Sequence, residues 1–310
     1  MKLYLTVMEF ILCTLGYMVQ MIGVLMSVAF FTLYERKLLS YSQYRVGPNK
    51  VSFMGLLQPI SDAMKLFTKE RMMPMKSMKL GFMLSPIFTI FFPMFMWLMQ
   101  PVWFSGFEYK FAWILMFCGC AFNVYFGFLS GWVSNSKYSV IGSFRAVSQM
   151  MSYEVALAFL VMFYCLFISS YSLMSFNEKS LFFMLYPLSM LWFIICLSES
   201  QRTPFDLAEG ESELVSGFNT EFSASYFALL FLGEYMSILL MCMLSTILVF
   251  GFMLKSMLFM ISLSMFFTLF IWARCTFPRM RYDCLMLYLW KSILPSLIFV
   301  LLMMYLMQIL

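Results

Sequence analysis

Long apolar runs, separated by short polar segments, extend over the whole chain. Each run is close to 20 residues or longer, the length that an α-helix needs to cross about 30 Å of hydrocarbon. The runs are continuous, whereas strands of a membrane barrel alternate apolar and polar positions over about ten residues. The pattern predicts an all-α integral membrane protein with about eight transmembrane helices. The predicted spans are residues 5–33, 80–104, 111–131, 142–172, 180–198, 222–250, 257–273 and 286–309.

Composition agrees with this pattern. Hydrophobic residues make up 63% of the chain and charged residues 11%, whereas a soluble domain is about 25% charged. No segment between the predicted spans reaches the usual size of a soluble domain. The apolar run after Lys2 is longer than a signal-peptide core, so we expect a retained first span. Residues 1–310 are therefore expected to form a single transmembrane helical domain.

The connections between the predicted spans alternate in charge. The first, third, fifth and seventh carry nearly all the charged residues, and the others are short and almost neutral. The positive-inside rule predicts that the charged side faces the cytoplasm or its mitochondrial equivalent, the matrix. Both termini would then face the opposite compartment. The basic residues outside the charged connections are Lys2, Lys110, Lys179 and Lys255, out of 20 in total.

The first connection, residues 35–79, contains a predicted amphipathic helix. Apolar residues recur at helical spacing from Ile60 to Phe67, and Pro59 suits the first helical turn. Charged residues occupy the opposite face, so the helix is expected to lie in the membrane interface. Two interpretations stay open. The segment is either a lipid anchor with solvated charges or the rim of an opening through which an apolar ligand enters.

The fifth connection, residues 199–221, is rich in carboxylates. Thr203, Pro204 and Asp206 follow the pattern of a helix start, which would place later carboxylates on one face. The acids are either solvated, paired with cations from elsewhere, or coupled groups that share protons. Apolar residues between them favour a packed loop with a role in proton handling. The carboxylates are Glu199, Asp206, Glu209, Glu211, Glu213 and Glu221, with Arg202 as the single base.

Two carboxylates lie inside predicted spans, where charge is costly and indicates function. Glu154 lies in the fourth span beside Tyr153. Gln149 and Tyr153 are four residues apart and can form a polar stripe near Glu154. Glu234 lies in the sixth span, next to Tyr235. Their position suggests a water-lined proton path that leads from the acidic connection into the bundle. The alternative is that each is a protonated, hydrogen-bonded contact between helices.

The seventh connection is basic, with Arg274, Arg279 and Arg281. It could supply cations to the acidic connection on the same side, or it could act only in setting topology. The sequence leaves both possibilities open.

Redox and metal chemistry have little support in this chain. It contains no histidine, which removes the common His-based haem and zinc sites. Its eight cysteines include no C-x-x-C pair. They are therefore interpreted as small buried apolar residues and not as ligands of an iron–sulfur cluster. We expect no metal site and no catalytic residue here, and any electron carriers would belong to partners.

Motifs spread over the chain together resemble one family. They are ERK at 35–37, RVGPNK at 45–50, QP at 58–59 with DAMKLFTKE at 62–70, SNSKY at 134–138, RAV at 145–147 with SYEV at 152–155, RTPFDLAEGESELVSGFN at 202–219 and PRMRYD at 278–283. This set resembles the quinone-channel membrane subunit family of respiratory complex I, chain 1 of NADH:ubiquinone oxidoreductase. One departure is Ser-Glu-Ser-Gln at 198–201, where the family usually has Ala-Glu-Thr-Asn. The acid is kept.

The resemblance implies a core subunit of a proton-translocating enzyme of the mitochondrial inner membrane. Its substrate would be ubiquinone, and partner subunits would hold FMN and the iron–sulfur clusters. Its partners would be membrane-arm subunits, the quinone-binding hydrophilic arm and lipids, with no nucleic acid. The 34 methionines agree with an AT-rich animal mitochondrial genome that reads ATA as methionine.

The resemblance also implies roles for individual residues. Arg36, Arg45, Asp62 and Phe67 would lie near the quinone passage, and Arg279 would be a matrix-side organising charge. The proton-coupling route would comprise Tyr153, Glu154, Glu199, Arg202, Asp206, Glu209, Glu211, Glu213, Glu221 and Glu234.

Two other functions remain as alternatives. A stand-alone proton-coupled cation transporter would also use intramembrane carboxylates, but such proteins usually show inverted repeats or broken helices, and the sequence shows neither. The related membrane subunit of a hydrogenase-type complex would share the motifs, but the mitochondrial composition argues against it.

Overall fold

The computed structural model describes residues 2–100, 109–176, 186–207, 210, 217–251 and 256–309, with side chains described from residue 11 to residue 308 of these ranges. The described residues form helices and connecting turns, without a strand, which confirms the predicted all-α fold. The helices are α1 (Lys2–Ser42), α2 (Gln58–Thr68), α3 (Lys79–Leu98), α4 (Ala112–Ser134), α5 (Lys137–Ile168), α6 (Tyr186–Glu199), α7 (Ala224–Phe250), α8 (Met257–Thr276), α9 (Tyr282–Tyr288) and α10 (Leu294–Ile309), with a π-helical turn at Leu289–Ile293 joining the last two.

Seven helical stretches of the described chain are long and apolar enough to cross a membrane: α1 from Ile11, α3, α4, α5, α7, α8, and the α9–α10 unit. The shorter apolar helix α6 corresponds to the predicted span at 180–198. Residues 177–185, which precede it, lie outside the described residues. Together these helices agree with the prediction of about eight spans.

Helix α1 is longer than its apolar run. The predicted span ended at residue 33, whereas the helix continues through Ser42. Between residue 33 and the Gly-Pro pair at 47–48 no glycine or proline occurs. Hydropathy indicates depth in the membrane, not the end of a helix. Glu35, Arg36 and Lys37 therefore lie on the last turns of α1, and the first connection begins after Ser42 and not at residue 35.

The predicted amphipathic helix is present as α2, and its apolar stripe points away from the bundle. Ile60, Met64 and Phe67 are exposed by 49%, 62% and 55%. Pro59 is buried and Asp62 is half-buried, so the opposite side of α2 packs inward, against α1 and α7. The bundle thus leaves the apolar stripe free to contact lipid or another molecule.

Close helix packing places α7 at the centre of the bundle. Helix α3 packs against α4 and α7, and α4 packs against α5. Gly233 of α7 lies so close to α3 that a Cβ atom at this position would be 2.6 Å from the Thr89 carbonyl oxygen. Most side chains of α7 are buried, whereas those of α1 are largely exposed. Side chains on α7 are therefore held inside the bundle.

The predicted helix start at Thr203 is wrong. The described residues from Gln201 to Leu207 form turns, and the Thr203 hydroxyl has no hydrogen-bond partner among the described residues. Neighbouring elements bind this backbone instead. Gln149 Nε2 donates to the Phe205 carbonyl at 2.8 Å, and the Met280 amide donates to the Pro204 carbonyl at 3.0 Å. These tertiary bonds override the local capping pattern.

Candidate functional site

A buried ion cluster joins four elements at the charged side of the bundle. Its centre is Glu35, which is only 5% exposed. The Tyr235 hydroxyl donates to Glu35 Oε2 at 2.5 Å, and Arg274 Nη1 forms an ion pair with Glu35 Oε1. Arg202 Nη1 lies 3.6 Å from the same oxygen. We call Glu35, Arg202, Tyr235 and Arg274 the charged cluster.

The charged cluster satisfies the requirement that a buried charge be paired and hydrogen-bonded. Two guanidinium groups face one carboxylate, so the remaining positive charge is available to further acids. Arg202 also lies over the Tyr235 ring, with its guanidinium carbon 4.4 Å from the ring centroid, a cation–π geometry.

Arg202 keeps its charge in this position. Burial alone lowers the pKa of the Arg202 guanidinium, but Tyr235, Glu35 and Glu234 raise it by more. The pKa of the Arg202 guanidinium therefore lies above its ordinary value, and Arg202 stays protonated at physiological pH. It can therefore act as a permanent cation between Glu35 and Glu234.

A cavity with a volume of about 60 Å³ lies beside the charged cluster. Glu199, the last residue of α6, and Glu234 of α7 both line it, together with Asn123 of α4 and Gln201. Glu199 is buried, and its Oε2 atom has no hydrogen-bond partner within the described part of the chain. A buried carboxylate oxygen that borders a cavity with several polar lining side chains is a site for ordered water. We call this space the glutamate cavity.

Glu234 is oriented by the end of the acidic connection. Asn219 Nδ2 lies 3.4 Å from Glu234 Oε1 and donates to it. Gly233, the residue before Glu234, and Thr89 of α3 line the same cavity. The tight contact between α3 and α7 therefore forms part of the cavity wall.

Glu154 and Tyr153 lie close to this cavity without lining it. Glu154 is half-buried on α5 and interacts electrostatically with Glu199. Tyr153 is fully buried, with its ring centroid 6.3 Å from that of Phe205, and its hydroxyl finds no partner in the described ranges. The structure therefore brings Glu154 to Glu199 and places Tyr153 beneath the acidic connection.

Gln149 holds the acidic connection on α5. Its Nε2 atom donates to the Ser198 carbonyl at 3.0 Å and to the Phe205 carbonyl at 2.8 Å. One amide thus fixes the backbone on both sides of Arg202. Sequence analysis placed Gln149 on the polar stripe near Glu154, but this bridging contact depends on the tertiary fold.

The seventh connection supplies a cation to the acidic connection. Arg279 Nη2 lies 3.2 Å from Asp206 Oδ2, and Asp206 is buried. Arg281 instead pairs with Asp283 at 3.0 Å on the exposed surface. Of the two possibilities left open for this connection, pairing with the acidic connection is observed for Arg279.

The residues expected near a quinone passage lie on α1, on α2 and in the segment between them. Arg36 Nη1 lies 2.7 Å from Asp62 Oδ2, and this ion pair ties α2 to the end of α1. Arg45 is exposed, and its Nε donates to Gln43 Oε1 at 2.9 Å. Phe67 is exposed on the apolar stripe. The structure thus brings Arg36 to Asp62 and leaves Arg45 and Phe67 on the surface.

The remaining predicted residues contribute less to this geometry. Glu221 is half-buried in the turn before α7. Glu209, Glu211 and Glu213 lie outside the described residues. Among the residues that the structure describes, no group of three or more Cys, Asp or Glu side chains is arranged to hold a metal ion.

Comparison with known proteins identifies the family. The model of a family described as NADH dehydrogenase matches residues 15–305 of the chain. The chain belongs to the NADH dehydrogenase family. It is 46% identical over 292 residues to NADH-ubiquinone oxidoreductase chain 1 of Aedes aegypti, covering 93% of each chain. The protein of the same name from Anopheles gambiae is 45% identical over 285 residues, 91% of each. The one from Sminthopsis macroura is 42% identical over 293 residues.

Membership of the NADH dehydrogenase family confirms the resemblance found in the motifs. Those motifs contain Glu35, Glu154 and Arg202, but not Glu234, Tyr235 or Arg274. The central role of Glu35 was not predicted from the sequence. The spacing of Val28, Phe31 and Glu35 could have indicated this role, because it places all three on one face of α1. That face is buried. The partners Tyr235 and Arg274 follow only from the tertiary fold.

Proposed function

We propose that this chain is the membrane subunit of a proton-translocating NADH:ubiquinone oxidoreductase. In this role it frames the ubiquinone access channel and couples quinone reduction to proton transfer. The charged side would face the matrix of the mitochondrial inner membrane, and both termini would face the intermembrane space. The observation that carries the proposal is the glutamate cavity. It holds two carboxylates, Glu199 and Glu234, next to the charged cluster.

Proton transfer would pass through ordered water in the glutamate cavity. One carboxylate oxygen of Glu199 has no hydrogen-bond partner among the described residues, and Glu154 is close enough to interact with Glu199. Interacting carboxylates take up and release protons as a set and not singly. Water in the cavity would carry the proton from Glu199 to Glu234. The acidic connection would lead protons to this set.

Arg202 would link the quinone side of the site to the proton side. It lies 3.6 Å from Glu35 and also interacts with Glu234. A negative charge that arrives near Glu35 competes for Arg202 and weakens its stabilisation of Glu234. The affinity of Glu234 for a proton would then rise. This exchange would couple reduction of the head group to protonation in the cavity.

The quinone passage would open at α2. An exposed apolar stripe on a helix tied down by the Arg36–Asp62 pair suits the long apolar tail of ubiquinone at the membrane surface. Flavin and iron–sulfur clusters in partner subunits would supply the electrons. This chain would guide the quinone and hold protons. A photoreactive ubiquinone analogue should label residues 35–75 or 199–221, and labelling of neither segment would overturn the passage.

Two variants of the assembled enzyme test the proton role, Glu199→Gln and Glu234→Gln. Each should lower NADH:ubiquinone activity and the linked proton pumping by at least about tenfold, because a neutral amide cannot carry a proton. Electron transfer from NADH to a water-soluble acceptor should be unchanged. The control is Glu70→Gln, an exposed acid outside the site. Full pumping by both cavity variants would overturn the proposal.

A further inference from the structure

A lysine-rimmed apolar face lies on the charged side, away from the glutamate cavity. Lys76, Lys79 and Lys137 form its rim, and all three side chains are exposed. None of their ammonium groups forms an ion pair or hydrogen bond with a described residue. Below the rim, Trp132, Ile141 and Phe144 are exposed apolar side chains. We call these six residues the lysine-rimmed face.

Two hydrogen bonds hold the segments that carry the three lysines at one corner of the bundle. Asn135 lies two residues before Lys137, which begins α5, and its Nδ2 atom donates to the Lys76 carbonyl at 3.2 Å. The Met78 amide donates to the Val133 carbonyl at 3.1 Å, just before Lys79 begins α3. The turn between α4 and α5 is therefore fastened to the segment that enters α3.

Nothing in these helices neutralises the lysines. No Asp or Glu occurs between Glu70 and Glu108, or between Glu108 and Glu154. Neither α3 nor α5 has an acidic residue in its first turn, where lysine is electrostatically unfavourable. Among the described residues no carboxylate pairs with these lysines, so the rim presents positive charge to its surroundings.

The apolar part lies directly beneath the charge. Lys137, Ile141 and Phe144 follow the spacing i, i+4 and i+7, so they share one face of α5. The Phe144 ring centroid lies 6.1 Å from that of Trp132 in an edge-to-face contact. Exposed tryptophan and tyrosine are typical of the membrane–water boundary, and Tyr138 is 59% exposed beside Lys137. Charge above an apolar strip is the layout of a membrane interface.

We propose that the lysine-rimmed face binds an anionic phospholipid of the charged-side leaflet. The three ammonium groups contact the phosphate of the head group, and an acyl chain lies along Ile141 and Phe144 against Trp132. A protein partner would not need an apolar strip that begins one turn below unpaired lysines. The inference concerns lipid recognition by this surface and does not depend on the proton role of the glutamate cavity.

The test uses the assembled enzyme in phosphatidylcholine nanodiscs that contain a photoreactive phospholipid. The probe is either phosphatidylglycerol or phosphatidylcholine with the same photoreactive acyl chain. Each lysine near an anionic head group contributes about 1 kcal/mol, roughly a fivefold preference. Residues 129–144 should therefore be labelled at least about tenfold more by the anionic probe. The variant Lys76→Gln/Lys79→Gln/Lys137→Gln should lose this preference.

The control variant, Lys50→Gln/Lys65→Gln/Lys291→Gln, removes the same charge from exposed lysines elsewhere and should keep the preference. If the first variant does not assemble, the labelling is measured on the native enzyme at increasing salt concentration. The preference for the anionic probe should then fall, because salt screens the charges. Equal labelling by both probes would overturn the proposal. The proposal would also be overturned if residues 129–144 were not labelled and Lys76, Lys79 and Lys137 cross-linked to another subunit.

Discussion

The Tyr235 hydroxyl donates a 2.5 Å hydrogen bond to Glu35 Oε2, across 200 positions of sequence. This bond joins α1, which is largely exposed, to α7, which is buried at the centre of the bundle. The Tyr235 ring also lies under the Arg202 guanidinium. One side chain therefore orients the acid and one base of the charged cluster, and it stands next to Glu234 in sequence.

The variant Tyr235→Phe keeps the ring and removes the hydroxyl. A hydrogen bond to a charged group contributes about 1.5–3 kcal/mol, so the thermal midpoint of the assembled enzyme should fall. Ubiquinone reduction should fall more than transfer to a water-soluble acceptor. The matched control, Tyr125→Phe, removes the same atom from an exposed tyrosine of α4 and should change neither quantity. Equal effects from both variants would contradict the role of Tyr235.

The Asp206–Arg279 pair should couple the acidic and basic connections. Asp206 is buried and Arg279 is partly exposed, so solvent screening reduces the interaction. A double-mutant cycle with Asp206→Asn and Arg279→Gln should give a coupling of roughly 0.5–1.5 kcal/mol in thermal stability. The same cycle on the exposed Arg281–Asp283 pair should give no measurable coupling. Additive effects at Asp206 and Arg279 would show that their contact contributes nothing.

The close approach of α3 and α7 should set the shape of the glutamate cavity. In Gly233→Ala the new Cβ would meet the Thr89 carbonyl oxygen at 2.6 Å, so the helices must separate. Such overpacking costs about 1–3 kcal/mol, and proton pumping should fall with stability. Gly127→Ala is the matched control. Gly127 lines the same cavity, but its Cβ would have no heavy atom within 4 Å. A loss of stability in Gly127→Ala equal to that in Gly233→Ala would refute this explanation.

Much of the fold was predictable because hydropathy follows membrane depth directly. The positions of the spans are reproduced, including α3 and α7, whereas the end of α1 was placed nine residues too early. Apolar content stops at the membrane boundary, but the hydrogen bonding of the helix continues to Ser42. One charged residue of these last turns, Glu35, points back into the bundle.

Site residues were predictable only where a charged residue occurs in an apolar span or in a cluster of like charges. Glu154 and Glu234 were selected because acids are costly inside a membrane span, and Glu199 because it belongs to the carboxylate-rich fifth connection. Tyr235 and Arg274 were not selected as partners of Glu35, since they are 200 and 239 positions away from it. The helix start at Thr203 failed for a related reason. A local capping pattern was outweighed by the bond from Gln149 to the Phe205 carbonyl.

The account depends most on a change of protonation at Glu199 and Glu234 when the quinone changes its redox state. An infrared difference spectrum of the assembled enzyme, oxidised against reduced quinone, measures this through the carboxyl C=O band. The account predicts a band that Glu199→Gln and Glu234→Gln each diminish and that Glu70→Gln leaves intact. A carboxyl region that is identical in the native enzyme and both cavity variants would contradict it.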